Sequence, residues 1–111
     1  MSKHEFGIMP ISPTDKELFN EYEPNKYNCV EVDDDFIGPI LIELQNVDTY
    51  WHTIQNKKNG LAYYGITLIP PSSMTVFINI LSLKNMIEYD SLIYLLNQAK
   101  EYNKYIIHFG I

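Results

Sequence analysis

Residues 61–73 read LAYYGITLIPPSS, and this stretch decides the fold class of the chain. Its first part, Leu61–Ile69, carries no charge and is rich in aromatic and β-branched side chains, which is typical of a strand covered on both faces. Pro70-Pro71 ends that strand, because proline cannot donate a hydrogen bond to a sheet ladder. Ser72-Ser73 then supplies residues that favour a helix start. We therefore expect a central strand followed by a helix.

The segment that follows, residues 72–83, admits two interpretations. Its apolar residues form either a helical stripe of Met74, Phe77, Ile78 and Leu81 or a strand face of Val76, Ile78 and Ile80. The prolines and serines before it favour the helix. Farther along the chain, Asp90 and an apolar face from Leu92 to Tyr102 predict a last helix, and residues 104–111 predict a terminal strand.

The residues before the central strand predict two strands, two helices and a hairpin. In chain order these are a strand over His4–Met9, a helix over residues 13–22, a strand over Tyr27–Asp33, a helix from about residue 36, and a hairpin over residues 49–69 with Trp51 on its first arm. The first helix rests on Ser12-Pro13 at its start and on Leu18 and Phe19 on one apolar face. The second rests on the helical spacing of its apolar residues, with a strand through Ile40–Leu44 as the alternative. Asn59-Gly60 is a strong turn signal.

Together these elements run β-α-β-α-β-β-α-α-β, an order that one mixed, mostly antiparallel sheet with helices packed on it satisfies. The 111 residues are 46% hydrophobic, which is enough for one core, so we expect a single α+β domain over residues 1–111. The longest uncharged run, Leu61–Leu83, is broken by prolines, so we expect no membrane span. The start MSKHEFGIM lacks the apolar region of a secretory signal, and Cys29 is the only cysteine. We therefore expect a cytoplasmic protein.

The charge of the chain is divided unequally along its length. The net charge is −6, but residues 1–48 hold eleven acidic residues against three lysines, whereas residues 49–111 hold three acidic residues against five lysines. All eight basic residues are lysine. Because arginine supplies most bidentate contacts to phosphate and guanine, its absence argues against a nucleic-acid partner. The acidic balance instead favours a basic protein partner.

The acidic and aromatic residues of the N-terminal half are the candidate contacts for such a partner. Tyrosine and tryptophan dominate interface hot spots, because they bury a large area while keeping a polar tip. Tyr22 and Tyr27 flank the acidic turn EYEPNKYN and are expected to be exposed, although core packing accounts for most of the aromatic residues. The predicted partner-binding residues are Glu21, Glu23, Glu31, Asp33, Asp34 and Asp35, with Tyr22, Tyr27 and Trp51.

The acidic triplet Asp33-Asp34-Asp35 also has a local interpretation. Carboxylates at this position are expected to cap the following helix and to interact favourably with its dipole, which does not exclude a partner-facing patch. Oxygen ligands of this kind suit Mg²⁺ or Ca²⁺. The stretch nevertheless lacks the alternating ligands, the central glycine and the terminal glutamate of an EF-hand loop. We therefore predict no metal site here.

The remaining reactive residues form no recognisable catalytic pattern. His4, His52 and His108 are scattered without an HxxxH or HxH pair, and Cys29 has no CxxC partner. The chain also lacks nucleophile-elbow, P-loop and dinucleotide-binding glycine motifs. We therefore assign no catalytic residue, no cofactor and no metal. One alternative is a small enzyme or metal-dependent protein that uses a histidine with Asp33–Asp35, and another is a structural or regulatory homo-oligomer.

Three stretches, YEPNKYNCVEVDDDFI, GLAYYGITLIPPSS and IIHFGI, resemble a small uncharacterised bacterial protein family over most of the chain. This resemblance implies no activity and no site residue. In its size, its acidity and its lack of catalytic motifs, the chain is also similar in type to immunity proteins that neutralise bacterial toxins. We therefore expect a non-catalytic acidic binding module, such as an immunity-type inhibitor that occludes a basic toxin or nuclease domain.

Overall fold

The computed structural model describes residues 2–111, and its central feature is a six-stranded sheet. The strands are β1 (Lys3–Ile8), β2 (Val30–Asp33), β3 (Asp48–Trp51), β4 (Lys57–Asn59), β5 (Ile66–Ile69) and β6 (Ile106–Phe109). They lie in the order β2-β1-β6-β5-β3-β4, and each neighbouring pair is antiparallel. The sheet is thus antiparallel throughout the described chain, not mixed as the sequence predicted.

The helices pack on one face of this sheet, which we call the helix-covered face. They are α1 (Asp34–Ile37), α2 (Leu41–Leu44), α3 (Met74–Lys84) and α4 (Asp90–Glu101). A 3-10 turn over Gly38–Ile40 joins α1 to α2, so the two form one interrupted helix with Pro39 at the interruption. The chain is therefore an α+β domain. Within residues 2–111, no helix is both long and apolar enough to cross a membrane.

The main hydrophobic core lies between the helix-covered face and the helices. The strand residues Phe6, Ile69 and Ile106 are fully buried there. They meet the buried faces of the two long helices, which contribute Met74, Phe77, Leu81, Leu92, Leu96 and Ala99. Burial of each large aliphatic or aromatic side chain contributes about 1.5–3 kcal/mol, so this layer supplies most of the hydrophobic stabilisation.

A segment without regular helix, residues 10–29, covers part of the opposite face, which we call the helix-free face. It packs on a smaller cluster of buried residues, namely Met9, Tyr27, Ile66, Leu68, Ile107 and Phe109. Gly7 of β1 makes this approach possible, because a Cβ atom there would lie 2.6 Å from Cβ of Tyr27. Any larger residue at position 7 would push the segment off the sheet.

Most of the predicted elements are confirmed. Residues 66–69 form an interior strand, with β6 on one side and β3 on the other. The first and second strands, the helix after Pro70-Pro71, the last helix and the terminal strand are all present. The helix predicted from about residue 36 begins at Asp34 and is interrupted at Pro39. These elements share a strong local pattern of apolar residues.

The helix predicted over residues 13–22 is wrong. Glu17 bonds back to Thr14 through its backbone N–H and its side chain, which makes a single turn. The backbone N–H of Phe19 then donates to the carbonyl of His52, so the chain is fixed to the β3 end of the sheet. Leu18 is 64% exposed while Phe19 packs inward. Tertiary contacts therefore override the helical pattern of this segment.

The predicted hairpin is also placed differently. β3 pairs with β4 through a turn over residues 52–56, and β5 lies on the other side of β3. Gly60, with a φ of +74°, ends β4 and is not the hairpin turn. Leu61–Gly65 forms a loop and does not extend the central strand. β4 carries Lys57 and Lys58, which suits an exposed edge strand. The element order is therefore β-β-α-β-β-β-α-α-β when α1 and α2 are counted as one helix.

Candidate functional site

A row of hydrogen-bonded polar side chains crosses the helix-covered face beside α1, and we call it the histidine chain. The Tyr63 hydroxyl donates to Oδ2 of Asp34 at 2.6 Å, and Oδ1 of the same carboxylate lies 2.8 Å from Nε2 of His4. Nδ1 of His4 lies 2.9 Å from Nε2 of His108. Nδ1 of His108 lies 3.0 Å from Oγ1 of Thr67. The histidine chain thus connects α1, β1, β6 and β5, together with the loop that carries Tyr63.

The carboxylate of Asp34 at one end fixes the protons of the histidine chain. An ionised Asp34 can only accept, so Nε2 of His4 carries a hydrogen. A neutral His4 then accepts at Nδ1 from Nε2–H of His108, and His108 accepts at Nδ1 from the hydroxyl of Thr67. The Thr67 oxygen in turn accepts from the backbone N–H of Ala62 at 2.8 Å. Every donor meets an acceptor when both imidazoles are neutral.

The pKa values of Asp34, Tyr63 and His108 agree with an ionised Asp34 and a neutral His108 in the histidine chain. Hydrogen bonds from Tyr63 and His4 lower the pKa of Asp34, and the same bond to Asp34 raises the pKa of Tyr63 to about 12. Burial lowers the pKa of His108 well below 6.5, and a positive charge on the neighbouring His4 would act in the same direction. Near neutral pH the row therefore contains one carboxylate and a neutral His108.

The histidine chain ties four elements of the fold together through buried hydrogen bonds. His4 and His108 are fully buried, and all four of their ring nitrogens have partners. Only Asp34 and Tyr63 reach the surface. The sequence pattern placed the histidines in strands but gave no pairing, because 104 positions separate His4 from His108 and only the strand order brings them together.

The helix-free face is built differently, and its first feature is an acidic groove of about 270 Å³. Glu17, Glu21 and Glu23 line this glutamate groove together with Lys26, Tyr27 and Ile107. Within residues 2–111 the ion pairs are Lys3–Glu31 and Lys84–Glu43, and the contact of Asp34 with His4 is the hydrogen bond of the histidine chain. None of the three groove glutamates therefore has a cationic partner in that part of the chain.

A larger open cleft of about 490 Å³ lies on the same face, and we call it the Glu5–His52 cleft. Glu5 is only 6% exposed and accepts a hydrogen bond from the Tyr22 hydroxyl. Nδ1 of His52 lies 2.8 Å from the carbonyl oxygen of Phe19, so this nitrogen carries the hydrogen. Nε2 of a neutral His52 is consequently an acceptor. Phe109 supplies an apolar wall.

The structure divides the predicted acidic residues between the two faces. Glu21 and Glu23 lie in the glutamate groove, and Glu31 lies on the helix-free side of β2, 2.7 Å from Lys3. Asp33 caps α1 by accepting from the backbone N–H of Asp35 at 2.8 Å, which confirms the capping interpretation. Asp34, the middle residue of the triplet, belongs to the histidine chain, and Asp35 is exposed.

The predicted aromatic residues are also separated. Tyr22 is 62% exposed beside the Glu5–His52 cleft. The expectation that Tyr27 is exposed is wrong, because this residue is 8% exposed and packs 6.2 Å from the ring of Phe109. Trp51 is half-buried on the helix-covered side of β3, where its indole N–H donates to the carbonyl of Gly60 at 3.1 Å. Tyr22 is thus the aromatic residue of the set that is well placed on the helix-free face.

The reactive side chains form no metal or thiolate site in the part of the chain that the structure describes. No group of three histidine, cysteine or acidic side chains there could hold a metal ion. Burial raises the pKa of the Cys29 thiol to about 11, and the charge of Glu5 acts in the same direction. The thiol is therefore protonated at neutral pH and weakly nucleophilic.

Comparison with protein-family models, curated proteins and solved structures gives no match for this chain. The side chains of the glutamate groove and of the Glu5–His52 cleft are therefore the guide to its function.

Proposed function

We propose that the chain is a non-catalytic binding module for a basic protein, and more specifically an immunity-type inhibitor that occludes a basic toxin or nuclease domain. The observation that carries this proposal is the glutamate groove. Three carboxylates, from Glu17, Glu21 and Glu23, line one concave surface with a single cation, Lys26. Lys26 forms no ion pair with them within residues 2–111, and the groove keeps two negative charges in excess. Lysine or arginine side chains of a partner would form ion pairs with these carboxylates.

The surroundings of the groove fit a protein contact. Leu18 and Tyr22 flank its glutamates in sequence and are 64% and 62% exposed. Large exposed side chains beside charges supply the apolar area that an ion pair lacks, and tyrosine is a frequent hot-spot residue. The carboxylates would steer a basic partner and set its orientation, and the apolar contacts would slow its release.

The mechanism that follows is occlusion. A nuclease domain holds phosphates with lysine and arginine side chains, and carboxylates that occupy those cations would deny the substrate its contacts. No bond is made or broken in the partner. The single cysteine of the chain suits action in a reducing cytoplasm.

The experiment compares two variants of equal charge. E17Q/E21Q/E23Q changes the groove, and its matched control changes three exposed acids in and beside α4 (E88Q/D90N/E101Q). A tagged wild-type chain is used to capture a partner from its source lysate at low and high salt. The association rate of that partner is then measured for each variant.

We expect the groove variant to associate about tenfold more slowly at low salt, because electrostatic steering raises association rates by about 10-fold or more. The control variant should keep the wild-type rate, since its charges lie outside the groove. Equal rates for the two variants, or a captured partner that is not basic, would contradict the proposal.

The remaining acidic residues of the predicted contact set need a separate test. Asp34 is a poor choice because its substitution disrupts the histidine chain, and Asp33 caps α1. E31Q and D35N remove exposed charges without those losses. If both leave the affinity of the captured partner unchanged, the contact surface is limited to the groove and its rim.

A further inference from the structure

The Glu5–His52 cleft holds a negative charge that the described residues do not balance. Glu5 is only 6% exposed at its wall and forms no ion pair within residues 2–111. The lysine that lines the cleft, Lys3, is 2.7 Å from Glu31 and is therefore already paired. Glu5 and Glu31 against Lys3 leave one negative charge in excess. Buried carboxylates are normally paired, because their desolvation is costly.

Two of the polar groups that line the cleft, Glu5 and His52, can accept further hydrogen bonds. Glu5 accepts from Tyr22 through Oε1 only, which leaves acceptor capacity on the carboxylate. His52 presents Nε2 as an acceptor, because its Nδ1–H is bound to a backbone carbonyl. A group that carries N–H donors and a positive charge suits acceptors of this kind.

The position of His52 is fixed from both sides. Its backbone N–H donates to the carbonyl of Ile66 at 3.0 Å, and its own carbonyl accepts from the backbone N–H of Phe19 at 2.7 Å. The residue has a φ of +67°, a left-handed conformation that few side chains adopt readily. Gly65 leaves room for the ring, because a Cβ atom there would lie 2.7 Å from Nε2 of His52. The acceptor is thus held in place before any ligand arrives.

Aromatic and apolar side chains form much of the rest of the cleft, beside Ser2, Lys3 and Asn20. The rings of Tyr22 and Phe109 lie edge to face, with 5.5 Å between their centroids. Tyr64 is 81% exposed at the rim, and Ile66 is buried at the base. Aromatic faces attract cations, and apolar walls accommodate an aliphatic stem.

We propose that the Glu5–His52 cleft is a binding site for an alkylammonium or alkylguanidinium group. The carboxylate of Glu5 is its counter-ion, Tyr22 and Phe109 line the path of the alkyl stem, and Nε2 of His52 is an acceptor on the other side of the cleft. The group belongs either to a free amine or to a lysine or arginine side chain of a protein. The cleft and the glutamate groove adjoin at Asn20, but Glu5 and His52 do not line the groove, so the proposal does not depend on the function proposed above.

The experiment is an NMR titration of the full ¹⁵N-labelled chain with n-butylammonium and with n-propylguanidinium. n-Butanol and butyrate serve as a neutral and an anionic probe of similar size. We expect saturable shifts at the amides of Gly65, Phe109 and Gly110 with the two cations, with a Kd of about 1 mM, as suits ligands of so few atoms. Butanol and butyrate should give no saturable shift there.

Two variants separate the cation site from general surface binding. E5Q removes the charge but can still accept the hydrogen bond from Tyr22, and H52N removes the ring acceptor with a residue that tolerates a positive φ. E5Q should weaken cation binding about tenfold or more, and H52N by a smaller factor. The matched control, E23Q, also replaces one glutamate by glutamine, but in the glutamate groove. This variant should bind the cations as the wild type does.

The outcomes are decisive in both directions when the spectra show that the variants keep the wild-type fold. Equal cation binding by E5Q, equal shifts with n-butanol, or no saturable shift in the cleft would overturn the proposal. A titration with N-acetyl-Gly-Lys-Gly-amide then identifies the source of the group. Binding of the peptide at the same amides assigns the cleft to a protein side chain, and binding of the free amines alone assigns it to a small ligand.

These results are independent of the partner experiment. If the protein binds butylammonium but captures no basic protein, the proposed cation site is supported and the proposed inhibitor function is not. If the protein captures a basic partner through the groove but does not bind the cations, the inhibitor function is supported and the cation site is not.

Discussion

The polar side chains on the two faces of the sheet differ in burial and in how fully their hydrogen bonds are satisfied. On the helix-covered face, His4 and His108 are fully buried, and each ring nitrogen has a partner inside the chain. On the helix-free face, Glu5 and His52 border an open cleft with acceptor capacity left over. Both pairs come from strands or strand ends of one sheet. A buried polar network therefore stabilises a fold when it is complete, and it can serve binding when it is incomplete.

The largest expected effect comes from breaking the complete network. H108A leaves a cavity and removes the partners of His4 and Thr67, so we expect the free energy of unfolding to fall by about 3–5 kcal/mol. The matched change on the helix-free face, H52N, loses one hydrogen bond to a backbone carbonyl and should cost about 1 kcal/mol. Urea denaturation of the two variants beside the wild type measures both values.

If H108A and H52N lower the free energy of unfolding by similar amounts, the polar residues of the two faces contribute equally to stability, and the proposed difference between the faces is wrong. The two variants are matched because each replaces one histidine, and each wild-type histidine is hydrogen bonded. If H108A does not fold, H108Q provides the same test with a smaller change in volume, since an amide can still bond to one neighbour.

The second expected effect is a loss of stability in acid. The folded pKa of His108 lies well below 6.5, so below pH 6.5 the unfolded chain binds a proton that the folded chain does not. Stability should therefore fall as the pH drops below 6.5, by at most about 1.4 kcal/mol per pH unit from this group. The lowered pKa of Asp34 adds a second loss in the same direction, which begins near the ordinary value of 3.8 for this carboxyl.

Urea denaturation between about pH 5 and pH 7.5, in steps of roughly half a unit, measures the first window. H108Q carries no titrating ring, so its stability should depend less on pH in that range. His4 and Asp34 remain in the variant and report what the rest of the chain contributes. A wild-type stability that is flat or rises as the pH falls below 6.5 would contradict the assignment of His108 as a neutral buried group.

The elements that the sequence predicted correctly are those whose pattern is local. The apolar run that contains Ile66–Ile69 and the one-sided apolar face of α4 each indicate their structure within about a dozen residues. The apolar residues of α3 fit a helix or a strand, and the prolines and serines just before them favour the helix. The helix expected over residues 13–22 is absent although its pattern is also local. Phe19 and Tyr27 gain more by packing on the helix-free face than the segment gains from helical hydrogen bonds.

The polar sites were harder to predict, because they depend on strand order. His4 and His108 meet only because β1 and β6 are neighbours, and no periodicity in the sequence indicates that pairing. Glu5 reads as an ordinary strand residue, and its burial comes from the path of the irregular segment that carries Tyr22. The acidic residues of the groove were recognised in part, since Glu21 and Glu23 were predicted to contact a partner and Glu17 was not.

The smallest expected effect on stability belongs to the glutamate groove. Its carboxylates have no cationic partner within residues 2–111, so E17Q/E21Q/E23Q removes no ion pair, and the amide oxygen introduced by E17Q would still accept from the backbone N–H of Thr14. We expect each substitution to change the free energy of unfolding by about 0.5 kcal/mol or less, with the balance towards stabilisation because like charges are relieved. Thermal and urea denaturation at low salt measure this directly. A clear loss of stability would mean that the glutamates support the fold, and the helix-free face would then resemble the helix-covered one. Unchanged stability beside slower partner association would instead separate folding from binding on the two sides of one sheet.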